Sequence, residues 1–165
     1  MPTDRPLTAQ ELSEFQTRRE QMLAKLRLAA EAPPDYVVTV VDRYVDAWQL
    51  QRSGFMARFR KPDGPDPAQL AFDLGVIWGD QLVRAMGWEW AKVVYDNGEI
   101  FGVVNPDRSL AVHTINFLSS CLKNPRIDCT AMLAFNMLIA GKGPSTPPGS
   151  YEDYMRGVMR IVPKR

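Results

Sequence analysis

His113 is the single histidine of the chain, so acid–base or nucleophilic chemistry of the Ser–His–Asp or Cys–His kind would have to use it. Ser119, Ser120 and Cys121 follow it closely, and Cys129 lies further on. A small hydrolase working through His113 with Cys121 or a carboxylate is therefore one reading. No Gly-x-Ser-x-Gly elbow accompanies it. A lone histidine at a strand end is more often a partly buried structural residue, and that reading is favoured. Two cysteines and one histidine are too few for a zinc site of their own. Cys121 and Cys129 fall on apolar helix faces and read as small buried hydrophobes, reduced unless the protein is exported. Gly141-Lys142-Gly143-Pro144-Ser145-Thr146 lacks the spacing of a phosphate loop and follows a helix rather than a strand. No metal or other cofactor is expected.

The carboxylates give a second candidate. Asp73 and Asp80 are seven residues apart and share one side of a helix, Glu89 follows that helix, and Glu99 sits in a hairpin. Such a set could work as acid and base or hold a divalent cation, but a solvated face explains it more simply. Asp80 could also orient Arg84 one turn on. The chain as a whole is balanced, with 20 basic and 19 acidic side chains. That argues against a dedicated nucleic-acid binder. Locally it is uneven: residues 61–110 hold four basic and eight acidic side chains, and residues 111–165 seven basic and three acidic. Asp73, Asp80, Glu89 and Glu99 thus read as an acidic face for a basic protein partner.

The elements that position these residues follow from periodicity. Thr8 and Glu11 form a capping box, and Leu12, Phe15, Met22, Leu26 and Ala29 make a helical stripe interrupted by Arg19. Pro33-Pro34 stops it, and Asp35 opens a second helix to about Arg52, with Gly54 at its end. The two suggest an αα-hairpin over residues 1–60. The heptad-like stripe also allows pairing with a second copy. Phe55, Met56 and Phe59 read as a short extra strand or an exposed apolar loop.

Residues 61–67 carry three prolines and read as a loop. Asp66 and Pro67 cap a third helix that ends at Gly87, with Ala71, Gly75 and Gly79 on one stripe for close packing. Trp88–Tyr95, Glu99–Val104 and Leu110–Thr114 read as strands, and Asp96-Asn97-Gly98 as a type I′ turn. If the sheet side bearing Trp88 and Trp90 faces the helices, both are core; a cavity lined by Trp78 and Trp90 would instead suit a small-molecule sensor. Further helices follow from Ile115, from about Asp128 to Ala140, and from Ser150 to Met159, the last two separated by a Pro-rich loop.

Leu74-Gly75, Trp78-Gly79-Asp80, Leu82 and Met86-Gly87-Trp88-Glu89-Trp90, followed by the hairpin, resemble the bacterial domain-of-unknown-function family 3806 over roughly residues 70–140. The resemblance implies a small α+β protein and carries no activity. By analogy of type and size it points to immunity or accessory proteins of bacterial competition systems.

The expectation is one α+β domain: a three-stranded antiparallel meander packed against helices, with an N-terminal αα-hairpin, an α+β core over 68–141 and a C-terminal loop and short helix over 142–165. Hydrophobic residues at 45% suffice for its core. No apolar run reaches the ~18 residues of a spanning helix, and Met1-Pro-Thr-Asp-Arg5 shows no secretory h-region. The expected function is a cytoplasmic, non-enzymatic domain that occludes another protein, such as a toxin or effector, without nucleic acid or membrane.

Overall fold

The computed structural model of the protein describes residues 1–53 and 64–161. The expected strand at Phe55, Met56 and Phe59, the Gly54 cap and the first three residues of the Pro-rich loop, 61–63, lie outside the described residues. The order is β1 (Thr3–Pro6), α1 (Ala9–Lys25), α2 (Pro34–Ser53), α3 (Pro67–Met86), β2 (Glu89–Tyr95), β3 (Gly98–Val104), β4 (Leu110–Val112), α4 (Thr114–Lys123), α5 (Ala131–Ile139), β5 (Glu152–Asp153) and α6 (Tyr154–Ile161).

The class is α+β. The three expected strands form a meander, but the sheet has five strands in the order β1-β2-β3-β4-β5 and is mixed. β1 adds antiparallel to β2, placing Asp4 opposite Val93. β5 adds parallel to β4, placing Leu110 opposite Glu152. Neither added strand has a local signal. β1 is polar and ends in proline, which is tolerated at a sheet edge; β5 is two residues long.

α3 is the centre of the fold. Asp66 accepts from the Ala68 N–H at 3.3 Å, Pro67 occupies the first turn, and Gly87 closes the helix at φ +66°. Leu70, Leu74, Ile77, Trp78 and Leu82 are fully buried in the main cluster with Val38, Val41 and Val45 of α2 and Leu118 of α4. Each such side chain contributes about 1.5–3 kcal/mol on leaving water. The small-residue stripe does what its spacing implies. A Cβ on Gly75 would lie 2.7 Å from the Ile115 Cα, so glycine lets α4 approach, and Gly79 makes room for the Trp90 ring.

Four expectations are corrected. α1 ends at Lys25, well before the prolines. The Leu28 N–H donates to the Leu23 carbonyl and the Arg27 N–H to Ala24, with Arg27 at φ +55°. That is a Schellman stop with arginine where glycine is usual. α1 and α2 then pack mainly on α3 rather than on each other, so no αα-hairpin forms. The Asp96-Asn97 turn joins paired Tyr95 and Gly98, but neither Asp96 nor Asn97 has the positive φ of type I′. α6 starts at Tyr154, with Asp153 accepting from the Met155 N–H at 3.1 Å, while Ser150 bonds to Pro147 and Ser109 carbonyls instead.

Candidate functional site

A cleft of about 460 Å³ opens between the β2–β3 turn and the point where β5 joins β4. His113 is at its floor, just after β4 and just before α4, and is 5% exposed. Both ring nitrogens are engaged: Nδ1 with the Phe101 carbonyl at 3.0 Å and Nε2 with the Tyr95 hydroxyl at 2.8 Å. A carbonyl can only accept, so Nδ1 carries a proton and donates to Phe101, while Nε2 shares a second hydrogen bond with the Tyr95 hydroxyl. Gly102 admits the imidazole, since a Cβ there would stand 2.8 Å from Nδ1.

Tyr95 ends β2, and its hydroxyl also lies 3.2 Å from the Tyr151 carbonyl. Burial, reinforced by the charge of Asp153, pushes this hydroxyl up to about 12. It is a neutral hydrogen-bonding group, held away from the phenolate a nucleophile would need. The rim is charged. Asp96 and Glu152 are exposed on opposite sides, and Asp153 faces Arg156 at 3.8 Å. Among the described residues neither Asp96 nor Glu152 has an ion pair.

The structure places the four sequence-selected carboxylates elsewhere. Asp73 pairs with Arg18 at 2.8 Å, whose guanidinium lies 4.5 Å from the Phe72 ring centroid. Asp80 accepts from the Trp90 indole at 2.9 Å and meets Arg19 at 3.5 Å. Arg84 does not turn to Asp80 for its hydrogen bonds; it donates to the Ala32 carbonyl and to Gln81. Glu89 pairs with Arg108, and Glu99 with Arg5 and Lys92 at 3.4 Å each. Each of the four therefore meets a cation of this chain. Asp73, Asp80 and Glu99 help hold β1 and α1 against the body of the protein.

Glu11 is the hub of that attachment. Its carboxylate takes two hydrogen bonds from Arg5, at 2.9 and 3.0 Å, one from Lys92 at 3.1 Å and one from the Thr8 N–H at 2.8 Å. The Arg5 fork and the Thr8 amide hold it well below the usual carboxylate range. The expected capping box is complete, with Glu11 N–H donating to Thr8 Oγ1. Asp4 extends the attachment by accepting from Arg108 at 3.2 Å and the Tyr151 hydroxyl at 2.7 Å.

Cys121 does not meet His113 in a hydrogen bond; its Sγ faces the Asp128 carbonyl at 3.8 Å. Trp78 is fully buried and edge-packed on Phe117, and Trp90 stacks edge-on to Phe15. The space above Gly79, the place expected for a sensor pocket, is thus filled by the Trp90 ring packed on Phe15.

Sequence reasoning missed Tyr95, Asp96, Tyr151 and Glu152. The Asp-Asn-Gly turn marked one wall, but nothing local reports that residues 150–153 return beside it. Among the described residues no group of three or more His, Cys, Asp or Glu could hold a metal ion, and no helix is long and apolar enough to cross a membrane. Comparison with protein-family models, with curated proteins and with solved structures returned no match to this chain.

Proposed function

We propose that the protein acts by binding another protein, and that a basic segment of the partner docks in the Tyr95–His113 cleft. The observation that carries this is the contrast between two sets of acids. Asp73, Asp80, Glu89 and Glu99 are neutralised within the chain, whereas Asp96 and Glu152 rim a concave surface without an ion pair among the described residues. The cleft floor is held by hydrogen bonds among His113, Tyr95 and backbone carbonyls, so docking needs little reordering. Rim carboxylates would steer a cationic segment and fix its register. The role that suits such a surface is occlusion of a partner's working site, as in a cytoplasmic immunity or accessory protein.

The test is affinity capture from lysate of the source cells with the unaltered protein, with the double variant Asp96→Lys/Glu152→Lys, and with Glu31→Lys as a distant surface control. A stoichiometric partner retained by the unaltered protein and the control, and lost by the double variant, is the expected result. Equal capture by all three would remove the cleft from the proposal. Absence of any stoichiometric partner would remove the proposal itself.

A further inference from the structure

The floor of the cleft holds one hydroxyl proton between two groups that can accept it. The Tyr95 hydroxyl lies 2.8 Å from His113 Nε2 and 3.2 Å from the Tyr151 carbonyl. The other ring nitrogen is already committed, because Nδ1 donates to the Phe101 carbonyl at 3.0 Å. The imidazole is held in this place. It is buried, it packs over Gly102, and the Tyr95 ring stands edge-on to it at 5.7 Å.

Two protonation states use the same heavy-atom positions differently. With Nε2 bare, the nitrogen is an acceptor and competes with the Tyr151 carbonyl for the single Tyr95 proton, so one of the two goes without it. With Nε2 protonated, the nitrogen donates to the Tyr95 oxygen, and the hydroxyl donates onward to the Tyr151 carbonyl. Each link from Phe101 through His113 and Tyr95 to Tyr151 then has its donor and its acceptor. The Tyr95 hydroxyl is a rotor with two settings, and one proton selects between them.

We infer that the cleft floor is a proton switch: as pH falls His113 takes up a proton at Nε2, the bond to Tyr95 reverses direction, and the Tyr95 hydroxyl is committed to the Tyr151 carbonyl just before β5. The groups around the ring come from every wall. Asp96 follows Tyr95 in the β2–β3 turn, Glu152 and Asp153 form β5, and Arg156 of α6 pairs with Asp153 at 3.8 Å. Tyr151 turns its own hydroxyl away to Asp4 at 2.7 Å. β3 meets the ring with the Phe101 carbonyl and Gly102, and α4 with its N-terminal turn, for which His113 is the N-cap without a side-chain cap bond. Protonation therefore sets a positive charge beneath the carboxylates of the rim. If a basic segment docks there, that charge repels it and docking weakens in acid. This consequence rests on the docking reading above; the switch itself does not.

The test is NMR of the full chain, isotope-labelled and free of any partner. His113 is the single histidine, so its ring nitrogens are read without overlap. The range runs from about pH 8 to about pH 5, where histidine side chains change charge. The expected result is a folded protein in which Nδ1 stays protonated throughout and Nε2 passes from bare to protonated. The Tyr151 carbonyl carbon should shift with the same midpoint. In Tyr95→Phe, which removes the acceptor for the Nε2 proton, the ring should titrate at lower pH and the Tyr151 step should vanish. A bare Nδ1 at the upper end of the range would overturn the inference. So would a ring that keeps one state throughout, or a Tyr151 carbonyl that does not follow the ring in the unaltered protein. None of these outcomes bears on docking, and equal capture by the rim variants would in turn leave the switch standing.

Discussion

The carboxylate of Asp80 and the indole of Trp90 are joined by a 2.9 Å hydrogen bond across the α3–β2 junction, directly over the gap left by Gly79. One face of Asp80 thus positions the aromatic ring that fills the helix surface, and its other oxygen meets Arg19 of α1. An acidic residue that reads as a surface charge is a packing residue. Burial raises the Asp80 carboxyl above its ordinary value, with Trp90 and Arg19 opposing the shift. Between the unfolded and folded values the native state holds more protons, so this group's contribution to stability falls as pH rises through that window. Asp80→Asn keeps an acceptor for Trp90 and should cost under about 1 kcal/mol. Asp80→Ala leaves the indole unpaired and should cost about 2 kcal/mol. Urea unfolding of both variants at neutral pH checks the ranking.

Glu11 has the opposite shift and the opposite pH dependence. Arg5, the Thr8 amide and Lys92 hold its carboxylate below the usual range. Its contribution is therefore fully present above the unfolded value near about 4.3 and is lost as pH falls through the folded value. Glu11→Gln should cost about 1 kcal/mol at neutral pH through the weakened cap. The gap between variant and unaltered protein should close in strong acid. Unfolding midpoints followed from pH 7 downward test the sign, and a gap that widens in acid would refute it.

Glycines separate close packing from mere tolerance. Gly75→Ala would bring a Cβ within 2.7 Å of the Ile115 backbone, which cannot yield as a flexible side chain would, and should cost about 1–3 kcal/mol. Gly157 is helical in α6, with nothing within 4 Å of an added Cβ. Gly157→Ala should therefore stabilise by about 0.5–1 kcal/mol. Thermal unfolding of the pair should move in opposite directions.

The parts of the fold legible in the sequence are those whose cause is local. The capping box at Thr8 and Glu11, the Asp66-Pro67 start, the Gly87 stop and the reversal at Asp96-Asn97 all rest on neighbours in the chain. What was not legible depends on distant groups. β1 is a strand because the β2 edge offers hydrogen bonds to Thr3–Pro6, not because Thr-Asp-Arg-Pro favours extension. Arg27 occupies a left-handed position that composition assigns to glycine. The charge pattern located the acids, but pairing decided their role: Asp73 meets Arg18 from 55 residues away, which no count of charges by segment can anticipate. His113 was legible as structural in type, while its partner Tyr95 became visible only when β2 and β4 were placed in one sheet.

The Tyr95–His113 bond gives the last prediction. The hydroxyl lies within hydrogen-bond distance of both the imidazole Nε2 and the Tyr151 carbonyl, so Tyr95→Phe leaves both without this partner and should cost about 1–2 kcal/mol. The same hydroxyl titrates near 12 in the folded protein against about 10 in an unfolded chain. Between those values the folded state retains a proton that the unfolded state has lost, so stability falls as pH rises from 10 towards 12. Tyr95→Phe removes that dependence. Difference absorbance of tyrosinate, comparing unaltered protein with the variant, should place the missing phenol at the top of the titration. A Tyr95 that ionises with the exposed tyrosines would mean that the hydroxyl is not held in the cleft floor, and the docking geometry proposed for the rim would lose its support.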